Sequence, residues 1–171
     1  MKTITNRNDK AHSSSNNTES VVFRCSSSGY MEEGSYCIVL YSDGALVECF
    51  YDFQNTLLSE QEIQKKPELV NTIRQLARDY KEQLKNLPRE LRNPFIIDGA
   101  HYTIQIGRMK FIGSNILTTT VKAKDYNPAN QLFRPGYECI NDLTLFQKLF
   151  EHFRKAINES VGEKVVRIGG E

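Results

Sequence analysis

No run of apolar residues in this sequence approaches the roughly 18 that a membrane-spanning helix needs. The first 20 residues also lack the apolar segment of a secretory signal, since they are mostly Ser, Asn, Thr and charged residues. We therefore expect a cytoplasmic protein that does not associate with a membrane.

Neither sign of charge is in excess. The 22 Lys and Arg residues stand against 21 Asp and Glu residues, which leaves a formal net charge of +1 at pH 7. Proteins that attract nucleic acids or anionic membranes through a general electrostatic field carry a clear basic surplus. The composition gives no such argument, so another protein is the expected partner and a nucleic acid is disfavoured.

Motifs that would commit the chain to a metal, a nucleotide or a nucleophilic reaction are also missing. The four cysteines are far apart, with no Cys-x-x-Cys pair of the kind that holds zinc: Cys25, Cys37, Cys49 and Cys139. Residues 26–29, Ser-Ser-Ser-Gly, lack the second Gly and the Lys of a phosphate-binding loop. We predict no cofactor and no metal, reduced thiols that serve as packing residues, and a flexible loop at 26–29.

Residues 1–18 carry few apolar side chains, so they cannot bury enough surface to offset the entropy lost on ordering. We predict a disordered tail there. The remainder, residues 19–171, is long enough to form a single α+β domain with its own core.

Three short runs of β-branched and aromatic residues predict strands near the start of the domain, at 21–25, 36–41 and 45–51. Asp43-Gly44 between the last two predicts a hairpin turn.

Two registers of this hairpin are possible. A three-residue loop with Gly44 left-handed sets Cys37 opposite Cys49, whereas a two-residue turn sends the two thiols to opposite faces. The first register is favoured because it aligns four large apolar side chains on one face: Ile38, Leu40, Leu46 and Phe50.

A helical block follows the hairpin. Ser59, with Glu62 three residues later, matches a capping box, and Pro67 suits the first turn of a restarted helix. An apolar stripe then recurs at helical spacing: Leu69, Val70, Ile73, Leu76, Ala77, Tyr80, Leu84 and Leu87. Two prolines within residues 86–94 end the helix.

The second half repeats the pattern of strands followed by a helix. Residues 101–106 alternate with Tyr102, Ile104 and Ile106 inward, a tight turn at 107–108 leads into 109–112, and residues 116–123 alternate again.

A final helix is predicted from an N-cap at Asn141 to a stop at Gly162. Its apolar stripe is Leu143, Phe146, Leu149, Phe150, Phe153 and Ile157. Residues 164–168 either add a short edge strand or fray. The predicted fold is thus α+β in the order βββ-α-βββ-α, a mostly antiparallel sheet covered by two amphipathic helices.

Catalytic groups are sparse. His101 opens a strand close to Asp98 in the sequence, and an enzyme built on this histidine would need folding to bring acids or a thiol to it. The candidates to converge are Asp98, Glu32, Glu33 and Cys25. His12 and His152 are interpreted as tail and surface residues, so no catalytic residue is assigned.

The first helix carries many basic residues, on or beside it: Lys65, Lys66, Arg74, Arg78, Lys81, Lys85, Arg89 and Arg92. Acidic residues are interspersed among them, and Arg78 stands four residues before Glu82. This mixture is typical of a solvated face with i,i+4 ion pairs rather than of a nucleic-acid interface.

Residues 126–137 form a long connection that is rich in the residue types enriched at protein interfaces. Together with the Gly-bearing loop between the first two predicted strands, it supplies the predicted binding residues: Tyr30, Tyr126, Phe133, Arg134 and Tyr137. Packing of the loop onto the core would explain its aromatics equally well.

The favoured hypothesis is a small binding or inhibitor protein, comparable to an immunity or regulatory protein, that recognises a macromolecular partner without catalysis of its own. The alternatives are a hydrolase-like enzyme around His101 and Asp98, and a nucleic-acid-binding protein that uses the basic first helix.

Overall fold

The computed structural model describes residues 20–28, 34–92, 101–114, 140–162 and 165–166. The predicted tail at 1–18, the alternating run at 116–123 and the aromatic connection at 126–137 lie outside these ranges. In chain order the elements are β1 (Val21–Ser28), β2 (Ser35–Tyr41), β3 (Ala45–Tyr51), β4 (Leu57–Lys65), α1 (Pro67–Asp79), α2 (Lys81–Asn86), β5 (Glu90–Arg92), β6 (His101–Ile106), β7 (Met109–Ser114) and α3 (Ile140–Val161).

Within the described ranges, seven strands form one sheet in the order β4-β3-β2-β1-β6-β7-β5. All neighbouring pairs are antiparallel except β5 with β7, which is parallel. The α+β class and the mostly antiparallel sheet are confirmed. The predicted order βββ-α-βββ-α is wrong in detail, since the described elements run ββββ-αα-βββ-α.

Two of the described strands were not predicted, β4 and the three-residue β5. Strand β4 occupies the residues interpreted from sequence as a capping box. Ser59 and Glu62 pair with Phe50 and Val47 of β3 instead of starting a helix. Seven paired positions with β3 outweigh a local capping signal, because secondary-structure propensity is a weak preference that tertiary pairing overrides. The helix begins only at Pro67, as predicted for the restart.

The first helix is also broken once, at Tyr80. This residue has φ −104° and ψ 17°, so α1 ends and α2 begins on either side of it. The apolar stripe nevertheless continues inward through both helices. The expected ion pair between Arg78 and Glu82 is not formed, and the break removes the regular helical spacing on which it depended.

The hairpin between β2 and β3 takes the favoured register, with Cys37 opposite Cys49 and Leu40 opposite Leu46. Gly44 has φ +92°, a conformation in which an L side chain is strained. A Cβ on Gly44 would also lie 2.5 Å from the backbone nitrogen of Pro67, so glycine is required here for two separate reasons.

The main core lies between one face of the sheet and the helices. All six apolar residues predicted for the last helix are buried in it, as are Tyr102, Ile104 and Ile106. Phe23 stacks on Phe150 with ring centroids 6.0 Å apart. Gly162, with φ +81°, follows the end of α3, while Asn141 lies inside the helix because α3 already starts at Ile140.

Val165 and Val166 neither extend the sheet nor fray. Both are buried in the main core. The Tyr36 hydroxyl donates to the Val165 carbonyl at 2.6 Å, and the Val166 amide donates to the Asn158 side chain at 2.9 Å. A tyrosine from β2 and an asparagine from α3 therefore hold this segment against the domain.

Candidate functional site

The helices lie on one face of the sheet, and strand alternation sends a second set of side chains to the opposite face, which we call the open face. It carries a separate small cluster of buried residues: Cys37, Val39, Ala45, Val47 and Cys49. Tyr41 and Tyr51 pack against this cluster from its margins. Beyond it, on β1 and β6, the open face is polar.

A cavity of about 290 Å³ lies on this polar part of the open face. Its lining combines one guanidinium, one imidazole, one thiol and several hydroxyls: Arg24, Ser26, Ser27, Ser28, Ser35, Cys37, Tyr51, Asn55, His101 and Thr103. The registers explain the grouping, since Ser26 pairs with both Cys37 and Thr103, and Ser28 pairs with both Ser35 and His101. Residues 26–28 thus belong to β1, and the loop predicted there is wrong for these three residues.

Among the described residues that line the cavity, Arg24 is the only Lys or Arg. Its Nε donates to the Sγ of Cys37 at 3.2 Å, and this hydrogen bond raises the pKa of Arg24. The titratable groups that influence Arg24 are Cys37, Tyr51 and Tyr41, all of them acids that are neutral at pH 7. Among the described residues no carboxylate forms an ion pair with its guanidinium.

The thiols of the open face are protonated. Burial raises the pKa of Cys37 although Arg24 opposes the shift, and burial likewise raises the pKa of Cys49. A catalytic cysteine has a lowered pKa, which makes its thiolate available as a nucleophile. The raised pKa values of Cys37 and Cys49 are the reverse of this.

The residues proposed for a hydrolytic site do not all converge. His101 is on the open face, whereas Cys25 points into the core on the other face, where burial raises its pKa to about 12. Asp98, Glu32 and Glu33 lie outside the described ranges. Strand spacing places the Cα atoms of His101 and Cys37 roughly 12 Å apart, which is too far for a thiol–imidazole pair of ordinary geometry.

A second surface of interest is the hairpin between β3 and β4, which forms one edge of the sheet. Four large apolar side chains within residues 50–58 are exposed: Phe50 by 38%, Phe53 by 75%, Leu57 by 46% and Leu58 by 66%. We call this group the edge patch. Of the large apolar residues that the described ranges expose, only Ile112 lies elsewhere.

The turn that carries the edge patch is held by hydrogen bonds. One carboxylate oxygen of Asp52 accepts from the amides of Gln54 at 2.9 Å and Thr56 at 2.7 Å, and Asn55 takes φ +64°. An aspartate that bonds its own turn fixes the backbone. The patch is therefore presented on a defined turn.

Strand β4 has a free edge in the described part of the chain, because only β3 pairs with it. Its residues from Leu57 to Glu62 are all exposed. Glu60 and Glu62, which are opposite Cys49 and Val47, give the strand an acidic margin on the open face. At its far end Lys65 pairs with Asp43 at 2.5 Å, which lowers the pKa of that carboxyl.

The basic residues of the first helix present a mixed surface. Arg74 and Arg108 line a cavity of about 390 Å³ between α1 and the β6–β7 turn. On the same helix the Gln75 amide donates to Asp79 at 2.7 Å, so acidic and basic groups alternate along the exposed side.

The five binding residues predicted from sequence, Tyr30, Tyr126, Phe133, Arg134 and Tyr137, all lie outside the described residues and stay predictions. The sequence reasoning missed both Arg24 and the edge patch. The edge patch had a signal: Phe50, Phe53, Leu57 and Leu58 surround a polar turn, and they would have stood out if β4 had been interpreted as a strand.

No protein-family model matches this sequence, and a search of curated proteins found no match. Within the residues described there is no helix long and apolar enough to cross a membrane, and no group of three or more His, Cys, Asp or Glu placed to hold a metal ion.

Proposed function

We propose that this protein is a binding protein that recognises another protein through the edge patch and strand β4. The observation that supports this best is the concentration of four exposed large apolar side chains around the β3–β4 hairpin, where β4 has one free edge in the described part of the chain. Large exposed apolar side chains that concentrate in one region of a folded domain are typical of protein–protein interaction sites.

The free edge supplies the second part of the recognition. Unpaired backbone amides and carbonyls on an edge strand accept an extended segment of a partner, which adds one strand to the sheet. Natural edges that avoid such pairing are short, bulged or covered. Strand β4 has nine residues and carries bulges near both ends, which leaves its central stretch regular.

The charges on β4 favour a basic partner over a second copy of this chain. If two copies paired antiparallel with full overlap around Gln61, Glu60 of each would lie opposite Glu62 of the other. Like charges directly opposite each other destabilise a strand pair, whereas Lys or Arg in those positions would stabilise it. The proposed partner is thus an extended segment with alternating basic and apolar residues.

A photo-crosslinking experiment tests the proposal. A benzoyl-phenylalanine at position 53 is expected to give one discrete protein adduct in cells, and the same probe at Ile112, an exposed apolar position on β7, is the matched control. The adduct should disappear in a Leu58→Ser, Glu60→Lys variant. Its cross-linked peptide should contain basic residues.

Equal labelling from positions 53 and 112, or an adduct that survives the double variant unchanged, would contradict the proposal. A dimer of this chain in light scattering that dissociates in the double variant would replace the proposed partner by a second copy.

The aromatic connection predicted from sequence belongs to the same proposal as a second contact. With the purified partner, Phe133→Ala or Arg134→Ala is expected to weaken binding roughly tenfold or more without lowering the melting temperature. Unchanged binding by both variants would restrict the interface to the edge patch.

A further inference from the structure

We propose that the cavity on the open face binds a small oxyanion, a carboxylate or a phosphate group, through Arg24. The site adjoins the β3–β4 turn, since Tyr51 and Asn55 line it, but the four residues of the edge patch do not line it, and the proposal does not depend on the proposed function. It is defined by a partly buried guanidinium that has no carboxylate partner among the described residues and is surrounded by hydroxyl groups.

The positive charge of Arg24 is only weakly compensated by the described residues around it. Removing a cation from water is costly unless an anion or hydrogen-bond acceptors compensate it. The only acceptor that Arg24 reaches in the described part of the chain is the sulfur of Cys37, a weak one, which occupies Nε alone. The two terminal nitrogens, the fork that binds carboxylate and phosphate in a bidentate manner, are left for a ligand.

The hydrogen bond to Cys37 also fixes the orientation of the Arg24 guanidinium. Because the Nε–H is bound to Cys37, the side chain has a fixed anchor on β2 while its backbone belongs to β1. A guanidinium fixed in this way loses less entropy when it binds an anion than a freely moving surface arginine does. Cys37 is accordingly a positioning residue for Arg24.

Hydroxyl donors complete the site. Ser26 and Ser28 donate to the carbonyls of Thr103 and His101 at 3.4 Å, distances long enough that either hydroxyl can rotate towards a better acceptor. Ser35 and Thr103 line the same cavity. Hydroxyls from three adjacent strands therefore line the same cavity as Arg24.

The size of the cavity limits the ligand. At about 290 Å³ it lies at the lower end of small-molecule sites, so it holds one oxyanion group with a few attached atoms, and any larger ligand would extend into solvent. A single cation among neutral donors also excludes a metal ion as the preferred occupant.

The test uses the purified full chain and inorganic phosphate, with acetate and chloride as further probes. The Nε–H resonance of Arg24 and the backbone amide resonances of positions 26 and 103, which line the cavity, are followed by ¹H–¹⁵N NMR. The two amide resonances give the comparison between the parent and the variants that lack Arg24. We expect a saturable shift with phosphate or acetate and none with chloride at equal ionic strength, and the tighter of the first two identifies the group.

Four variants identify the residues that bind the anion. Arg24→Met is expected to weaken binding at least about tenfold, whereas Arg108→Met, a matched loss of an arginine on another cavity, leaves it unchanged. If Arg24→Met fails to fold, Ser26→Val with Thr103→Val is measured instead and should reduce the affinity several-fold. Binding by a Leu58→Ser variant should equal that of the parent, which separates this site from the edge patch.

Two results would overturn the proposal. One is a linear, unsaturable shift that is the same in the parent and in Arg24→Met. The other is tighter phosphate binding when Glu32 and Glu33, which precede β2 in the sequence, are changed to Gln, because the chain itself would then supply the anion.

Discussion

Arg24 on β1 donates its Nε–H to the sulfur of Cys37 on β2 at 3.2 Å, on the face of the sheet opposite the helices. The contact joins the polar part of the open face to its buried apolar cluster, to which Cys37 belongs. It gives the guanidinium one hydrogen-bond acceptor next to the buried thiols.

Replacing Cys37 by Ala should destabilise the protein by roughly 1–3 kcal/mol, because the partly buried Nε–H of Arg24 then loses its acceptor. Cys37→Ser keeps an acceptor of similar size and should lose clearly less. Urea denaturation of both variants measures the difference. A Ser variant as unstable as the Ala variant would show that volume, and not the hydrogen bond, matters at this position.

Stability should fall as the pH rises from about 9 to about 12. Burial raises the pKa of Cys25 from 9.0 to about 12, so the folded state keeps a proton that the unfolded state releases in this interval. Because the pKa of the thiol is higher in the folded state, its contribution to stability is fully present at pH values below the pKa of the unfolded state. The contribution is lost as the pH rises towards the pKa of the folded state. The slope from a single group cannot exceed about 1.4 kcal/mol per pH unit.

Urea midpoints at pH 7, 9 and 10.5 check this prediction. Cys25→Ala is the control, since it lowers stability at every pH through the lost packing but should flatten the alkaline slope. An equally steep slope in that variant would assign the effect to other groups.

Changing Phe53 and Leu58 to Ser should leave the free energy of unfolding within about 0.5 kcal/mol of the parent, because both side chains are mostly exposed. The same changes should abolish the interaction through the edge patch. Chemical denaturation together with a binding measurement on the cross-linked partner tests both parts. A large loss of stability would mean that these residues support the fold instead of a partner.

Gly44→Ala should cost roughly 2 kcal/mol or more, since the residue has φ +92° and its Cβ would collide with the backbone of Lys66 and Pro67. Gly162→Ala is the matched comparison. It has φ +81° but no atom within 4 Å of an added Cβ, so only the backbone strain of about 1 kcal/mol applies. Equal losses in thermal melts would contradict the role given to the close approach at Gly44.

Elements with a long, regular apolar pattern were predictable from the sequence. The stripe of α3, the stripe through α1 and α2, and the inward residues of β6 all have the predicted burial. The register that sets Cys37 against Cys49 was also predictable, because only this register aligns the apolar residues of both strands on one face.

Elements that depend on a neighbour were not predictable. Strand β4 is polar over most of its length, and it is extended because β3 offers it a partner. The serines at the end of β1 likewise form a strand because β2 and β6 lie on either side of them.

The candidate sites, like β4, depend on contacts between distant parts of the chain. The sequence by itself determined the class of fold, the apolar faces and the absence of a recognisable catalytic motif, since these depend on composition and on local periodicity. Only the tertiary structure brought Arg24, the serine hydroxyls and Thr103 to one cavity, and left four apolar residues exposed on a free edge. Contacts between residues distant in the sequence decide such arrangements, and no local pattern encodes them.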